Sequence, residues 1–221
     1  MQYLHHKKAG EKTIVLVGDE HRYIFKVRRH REGEIITLRN LVDDNIYNYE
    51  ISSMDKREAH LLLQDFHTLV IKAKRRLHIG WCLIEPKNIE KMLPTLNEIG
   101  VEKISFILCS RSQKNFKLDC KRLEKIVLNS SQQCGRSEPM KLMPVESLEE
   151  FLSDNPDAVA LNFSDNFLDR DSSIETIVIG CEGGFTEKEM ELFGEKIVGL
   201  DSSLILKSES AICAVASKML L

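Results

Sequence analysis

Between Ile179 and Glu189 the chain reads Ile-Gly-Cys-Glu-Gly-Gly-Phe-Thr-Glu-Lys-Glu, and these residue types predict a ligand loop. The paired glycines at 183 and 184 permit positive φ and let a ligand lie against bare backbone amides. Strand, glycine loop and helix in succession usually bind phosphate. Here no Gly-Lys-Ser/Thr completes a P-loop and no GxGxxG a dinucleotide fingerprint. Glu187 and Glu189 also bring carboxylates to the positive end of the following helix, where they would repel a phosphate. The ligand predicted is one without phosphates, such as a nucleoside; a glycine turn that merely joins strand to helix is the alternative.

Cations form two further groups. Arg22, Lys26, Arg28, Arg29 and Arg31 make the densest run, with Tyr23 and Phe25 interleaved and His21 and His30 at its edges. This is either a solvated strand edge whose charges discourage aggregation, or an RNA surface that tracks phosphates and offers rings for stacking. Lys103 to Arg136 holds eight Lys/Arg, Lys114 among them, against two acids. A solvated helix face accounts for Lys121 and Lys125. Arg111 and Arg136 differ, because each sits at a strand or helix end, where α/β proteins place their sites.

The elements that must hold these residues follow from periodicity. Ile177-Val178-Ile179 reads as a strand buried on both faces, of the parallel-sheet kind. Thr186 is placed to cap a helix opening at Glu187, with Glu189 completing a capping box. Ile197 to Leu200 is a second strand and Leu204 to Leu206 a further short run. A helix from about Ser208, rich in small residues, allows close backbone approach, and the final Leu220-Leu221 suggests an end lodged in structure. Upstream, strands are expected at Leu77–Ile84, Lys103–Cys109 and Ala158–Phe163. Helices are expected at Asn88–Ile99, kinked or split by Pro94, from Asp119 to about Gln133, and at Ser147–Leu152. Before residue 75, alternating runs at Thr13–Val17, Tyr23–Val27, Glu34–Arg39, Ile46–Ile51 and Thr68–Ala73, separated by turn residues, fit a small barrel. The boundary falls near residue 75, giving domains 1–75 and 76–221.

Charge divides along the same line. Residues 1–76 carry 15 Lys/Arg against 11 Asp/Glu, a net of +4, and residues 77–221 carry 16 against 23, a net of −7, within an overall −3. No apolar run approaches the roughly 20 residues of a membrane span, and Met1 to Gly10 lacks a signal-peptide apolar region. Six cysteines show no CxxC pair and no partnering histidine spacing. Zinc is therefore not expected, and most of the thiols read as reduced core residues of a cytoplasmic protein.

The C-terminal blocks resemble the signature of the RsmE family, ribosomal RNA methyltransferases of the SPOUT superfamily. That family reads approximately IGPEGGFSxxE and then LGPRILRTETA; this chain has IGCEGGFTEKE from Ile179 and DSSLILKSESA from Asp201. Cys181 stands at the family proline, Ser202 at a glycine, and Leu204 and Lys207 at arginines. Val27 to Glu34 is similar to the family's VLRxxxGD, Ser110-Arg111-Ser112 to its ERS, and Gln132 to Arg136 to its EQxGR. The resemblance implies an α/β fold: a C-terminal trefoil-knotted SPOUT methyltransferase domain behind a small PUA-like β-barrel that binds RNA. It implies S-adenosyl-L-methionine as cofactor, held by Leu161, Asn162, Gly180, Glu182, Gly183, Gly184, Leu200, Ile205, Leu206 and Ser210. It further implies a homodimer that methylates N3 of a uridine in 16S rRNA, free or within the small ribosomal subunit. Arg136 and Arg111 would stabilise charge on the base, and Arg22, Lys26, Arg28, Arg29 and Arg31 would contact RNA. A non-catalytic RNA-binding or ribosome-assembly factor that keeps the same fold is the alternative.

Overall fold

The computed structural model describes residues 2–112 and 117–221; Lys114 of the second basic group lies outside the described residues. The chain divides into one unit of Met1–Lys72 with Ser131–Glu138 and a second of Ala73–Ser130 with Pro139–Leu221.

In the first unit, β1 (Leu4–His5), β2 (Thr13–Val17), β3 (Ile35–Arg39), β4 (Asn45–Met54) and β5 (Glu58–Thr68) form a five-stranded sheet in the order β1-β3-β4-β5-β2. Alternation decides the faces. In β2, Ile14 and Leu16 are buried between exposed Thr13, Val15 and Val17, and Tyr47, Tyr49 and Ile51 do the same in β4. Register shifts between Asn48 and Tyr49 and between Ile51 and Ser53 bend the long β4–β5 pair. The sheet thereby curls around Leu4, Leu16, Ile24, Leu38 and Leu61.

Two expectations fail in this unit. Tyr23–Val27 is not a strand: α1 (Gly18–Arg22) runs into a single π-helical turn over Tyr23–Val27. The buried residues are His21 and Ile24, three apart. That spacing lines up on a helix and not on a strand. Thr68–Ala73 is not a strand either, since β5 ends at Thr68. The strand itself was hidden because its second half is almost wholly exposed and shows no alternation.

The second unit is built on six parallel strands: β6 (His78–Cys82), β7 (Lys103–Ile107), β8 (Lys141–Val145), β9 (Val159–Leu161), β10 (Thr176–Ile179) and β11 (Ile197–Val198), in the order β11-β9-β10-β6-β7-β8. Its helices are α2 (Pro86–Ile99), α3 (Cys120–Cys134), α4 (Leu148–Asp154), α5 (Glu187–Phe193) and α6 (Ser208–Leu220). β10 lies between β9 and β6, and Ile177, Val178 and Ile179 are all buried, as a doubly covered strand requires. Ser147 caps α4 by accepting from the Glu150 amide at 3.1 Å.

Four readings change here. Pro94 does not split α2, which runs on to its left-handed cap at Gly100, φ +113°. Leu204 to Leu206 forms no strand. Leu221 is 66 % exposed, so the final residue is not lodged in the core. Cys82 and Cys109, at and just beyond the ends of paired β6 and β7, face each other with Cα atoms 5.7 Å apart and form a disulfide in place of two free thiols. Parallel pairing sets that proximity, which sequence spacing does not reveal. Cys120, Cys134, Cys181 and Cys213 take no part in that disulfide.

Candidate active site

Three loops at the carboxyl ends of β9, β10 and β11 enclose a cavity of about 520 Å³, within the roughly 300–1,000 Å³ of small-molecule sites. Of the cofactor residues expected from sequence, Leu161, Asn162, Gly180, Glu182, Gly183, Gly184, Leu200, Ile205 and Leu206 all line it. Ser210 does not, and Ser208 lines it instead. Two residues along a helix is a rotation of about 200°, which leaves Ser210 exposed on α6 while Ser208 is buried.

Each loop is held by identifiable contacts. At the floor, Trp81 Nε1 donates to Ser208 Oγ at 2.9 Å, and that hydroxyl donates to the Gly180 carbonyl at 2.6 Å, tying β6, α6 and the end of β10 together. The glycine loop turns where the Gly184 amide donates to the Cys181 carbonyl at 2.9 Å, with Gly184 at φ +65°. At Gly199 any Cβ would collide with the carbonyl oxygen of Ser164, so two of the loops approach at van der Waals limit.

Arg111 braces the glycine loop from outside. Its Nη1 donates to the Gly183 carbonyl at 2.6 Å and to the Phe185 carbonyl at 3.1 Å. Beside it, Glu189 completes the capping box with Thr186 and also accepts from the Ser110 amide at 2.8 Å. Burial pushes the Glu189 carboxyl upward, but hydrogen bonds from Thr186 and Ser110 outweigh it and hold the group below the ordinary carboxylate range. Glu189 is thus consumed by the loop and does not face a ligand. Burial pushes the Cys181 thiol up, so the residue at the family proline is a neutral, packed side chain.

The electrostatics of the lining are one-sided. Asp165, Glu182 and Asp201 line the cavity, and no Lys or Arg does among the described residues. A phosphate is disfavoured there and a cation favoured. S-adenosyl-L-methionine fits such a donor set: its sulfonium and ammonium would meet carboxylates, and its adenosine would meet backbone and the apolar Leu161, Leu200, Ile205 and Leu206. Sequence reasoning assigned no site role to Asp165, Asp201, Phe167 or Leu204, which lie within or beside the motif blocks and belong to no repeated pattern.

The remaining assigned residues lie in the first unit. Arg136 is buried there; its carbonyl accepts from the Tyr3 hydroxyl at 2.8 Å and its Nε donates to the Glu138 carbonyl at 3.0 Å. Arg22, Lys26, Arg28, Arg29 and Arg31 are all exposed. Arg28 lies 5.3 Å over the Tyr23 ring and donates to its hydroxyl from Nε and Nη2. Arg29 sits at φ +63°, an uncommon conformation for a side chain of that size. Among the described residues no group of three His, Cys, Asp or Glu could hold a metal ion, and no helix is long and apolar enough to cross a membrane.

Comparison with known proteins agrees with this geometry. Residues 72–220 match the model of an RNA methyltransferase domain, and residues 16–64 that of an RNA methyltransferase PUA domain. The fold and cavity are therefore those of an RNA methyltransferase. Ribosomal RNA small subunit methyltransferase E of Helicobacter pylori strain J99 is 38 % identical over 98 % of both chains. The protein of that name from Aquifex aeolicus is 25 % identical over 87 % of this chain and 88 % of its own. A crystal structure of the Neisseria gonorrhoeae enzyme of that name, bound to S-adenosyl methionine, superposes with a TM-score of 0.82 at 19 % identity, covering 98 % of this chain and 95 % of the other. The chain belongs to the ribosomal RNA small subunit methyltransferase E, or RsmE, family.

Proposed function

We propose that this enzyme transfers a methyl group from S-adenosyl-L-methionine to N3 of a uridine in 16S rRNA, acting as a homodimer with rRNA of the small ribosomal subunit as its partner. The observation that carries this reading is the cavity: three strand-end loops, nine of the ten cofactor positions expected from sequence, and a lining that is acidic without a cation. The homodimer, the knotted threading and a cytoplasmic site of action rest on the resemblance of the motifs.

The cofactor supplies an activated methyl group, so the protein has mainly to orient the base and exclude water. Uridine N3 attacks well only after losing its proton, which leaves charge on the base oxygens. Arg136 is the candidate to stabilise that charge electrostatically. Arg111 acts one step further back, as a positioning residue: by holding the Gly183 and Phe185 carbonyls it sets the shape of the loop that contacts the cofactor. The exposed cations at 22–31 anchor RNA phosphates.

The test is tritiated methyl transfer to small ribosomal subunits from cells lacking the protein, with nucleoside analysis of the product. Label in 3-methyluridine supports the reading. Label in another nucleoside overturns the N3 assignment, and RNA binding without label supports the non-catalytic alternative.

A further inference from the structure

Five large apolar side chains stand exposed at the cavity: Phe163 at 78 %, Ile205 at 82 %, Leu204 at 74 %, Phe167 at 49 % and Leu206 at 38 %. They come from two opposed stretches, one following β9 and the other preceding α6. None belongs to the hydrophobic core. Exposed apolar groups gathered at one place mark a binding surface, and these share their cavity with Asp165, Glu182 and Asp201, all exposed.

That combination selects the occupant. A base to be methylated must come within about 3–3.5 Å of the reacting methyl group. The carboxylates keep the sugar-phosphate backbone outside, so the part of an RNA that can enter is the neutral base, taken out of its stack. A second copy of the chain fits less well: in a two-fold contact the same surface meets itself, and three exposed carboxylates would be brought against three. We propose that Phe163 is the stacking platform for the extruded target base, with Leu204 as the facing apolar wall. Phe163 is a positioning residue for RNA, distinct from the amides and carboxylates that hold the cofactor. This rests on the methyl-transfer reading above.

The intact enzyme tests it through Phe163→Ala and Phe163→Trp. Losing an aromatic stacking face is worth roughly ten- to hundredfold. The expected result for Phe163→Ala is that fall in kcat/KM for small ribosomal subunits, with cofactor affinity within about twofold of wild type; Phe163→Trp restores the rate. Weakened cofactor binding in Phe163→Ala, in step with the lost rate, would assign the ring to the cofactor and overturn the proposal. An unchanged kcat/KM, or a change in sedimentation that makes this face a contact between copies, would do the same. A second readout does not depend on activity. The only tryptophan, Trp81, is fully buried, so the indole introduced by Phe163→Trp reports on its own surroundings. A single-stranded uridine oligonucleotide should quench it and the same oligonucleotide with abasic sites should not; equal responses would overturn the stacking role even if the wild-type enzyme proved inactive on subunits.

Discussion

The two units differ in the chemistry they expose. The first displays five exposed cations between residues 22 and 31, two on its helical turns and three in the loop that follows, whereas the second encloses a cavity whose only charged lining is three carboxylates among the described residues. RNA carries its charge on the backbone and its identity on the bases, and the protein divides along the same line. Phosphate contacts supply affinity without sequence information; on the proposed function the exposed cations would make them, while the acidic cavity would take a cationic cofactor and a neutral base.

Variants can break this division. The largest effect is expected at Gly199→Ala, where a Cβ has nowhere to go against the Ser164 carbonyl. Overpacking against backbone costs about 3 kcal/mol, so the variant should melt lower and lose the thermal shift that cofactor gives the wild type. Next comes Glu189→Ala, which removes the partner of two amides and a hydroxyl and should cost about 2 kcal/mol in chemical denaturation. The pH dependence follows with its sign. The Glu189 pKa is lowered in the folded state, so its stabilisation is full above the unfolded carboxylate value and drains away as pH falls through the folded one. Wild type and Glu189→Gln should therefore begin to converge in stability as pH drops below the ordinary carboxylate range, and meet only once it has passed the depressed folded value.

A smaller effect sharpens the comparison. Arg111→Ala should weaken cofactor affinity about tenfold, the equivalent of one charge-assisted hydrogen bond, with kcat at saturating cofactor nearly kept. A fall in kcat alone would return Arg111 to direct charge stabilisation on the base. Smallest is Arg29→Ala, which should lower the slope of log K against log salt for RNA by about one and leave the cofactor-induced thermal shift unchanged. If it moved that shift, the two chemistries would not be separable.

What could be read from sequence follows the same contrast. Five of the second unit's six strands are short apolar runs that periodicity finds, whereas β8, Lys-Leu-Met-Pro-Val with no buried residue, gave no such signal; the Thr186–Glu189 capping box was legible because its partners are three residues apart. Contacts between distant residues were not: Arg111 on Gly183, Ser110 on Glu189 and Trp81 on Ser208 depend on strand order. In the first unit Tyr23–Val27 misled because aromatic and β-branched residues alternate with charges there, while burial obeys helical spacing through His21 and Ile24. The loop residues Asp165 and Phe167 obey no period, and only the closure of the cavity singles them out.

Ser131–Glu138 belongs to the first unit although it lies far downstream of Lys72. The Gln132 carbonyl accepts from the Gln2 amide at 3.0 Å, and Ser137 Oγ accepts from the Ile71 amide at 2.7 Å. During synthesis β6, α2 and β7 must all emerge before those partners arrive, so the first unit cannot complete itself until part of the second has been made. A fragment cut at the composition boundary would strand the Ile71 amide, and any graft of the first unit onto another enzyme has to carry residues 131–138 with it.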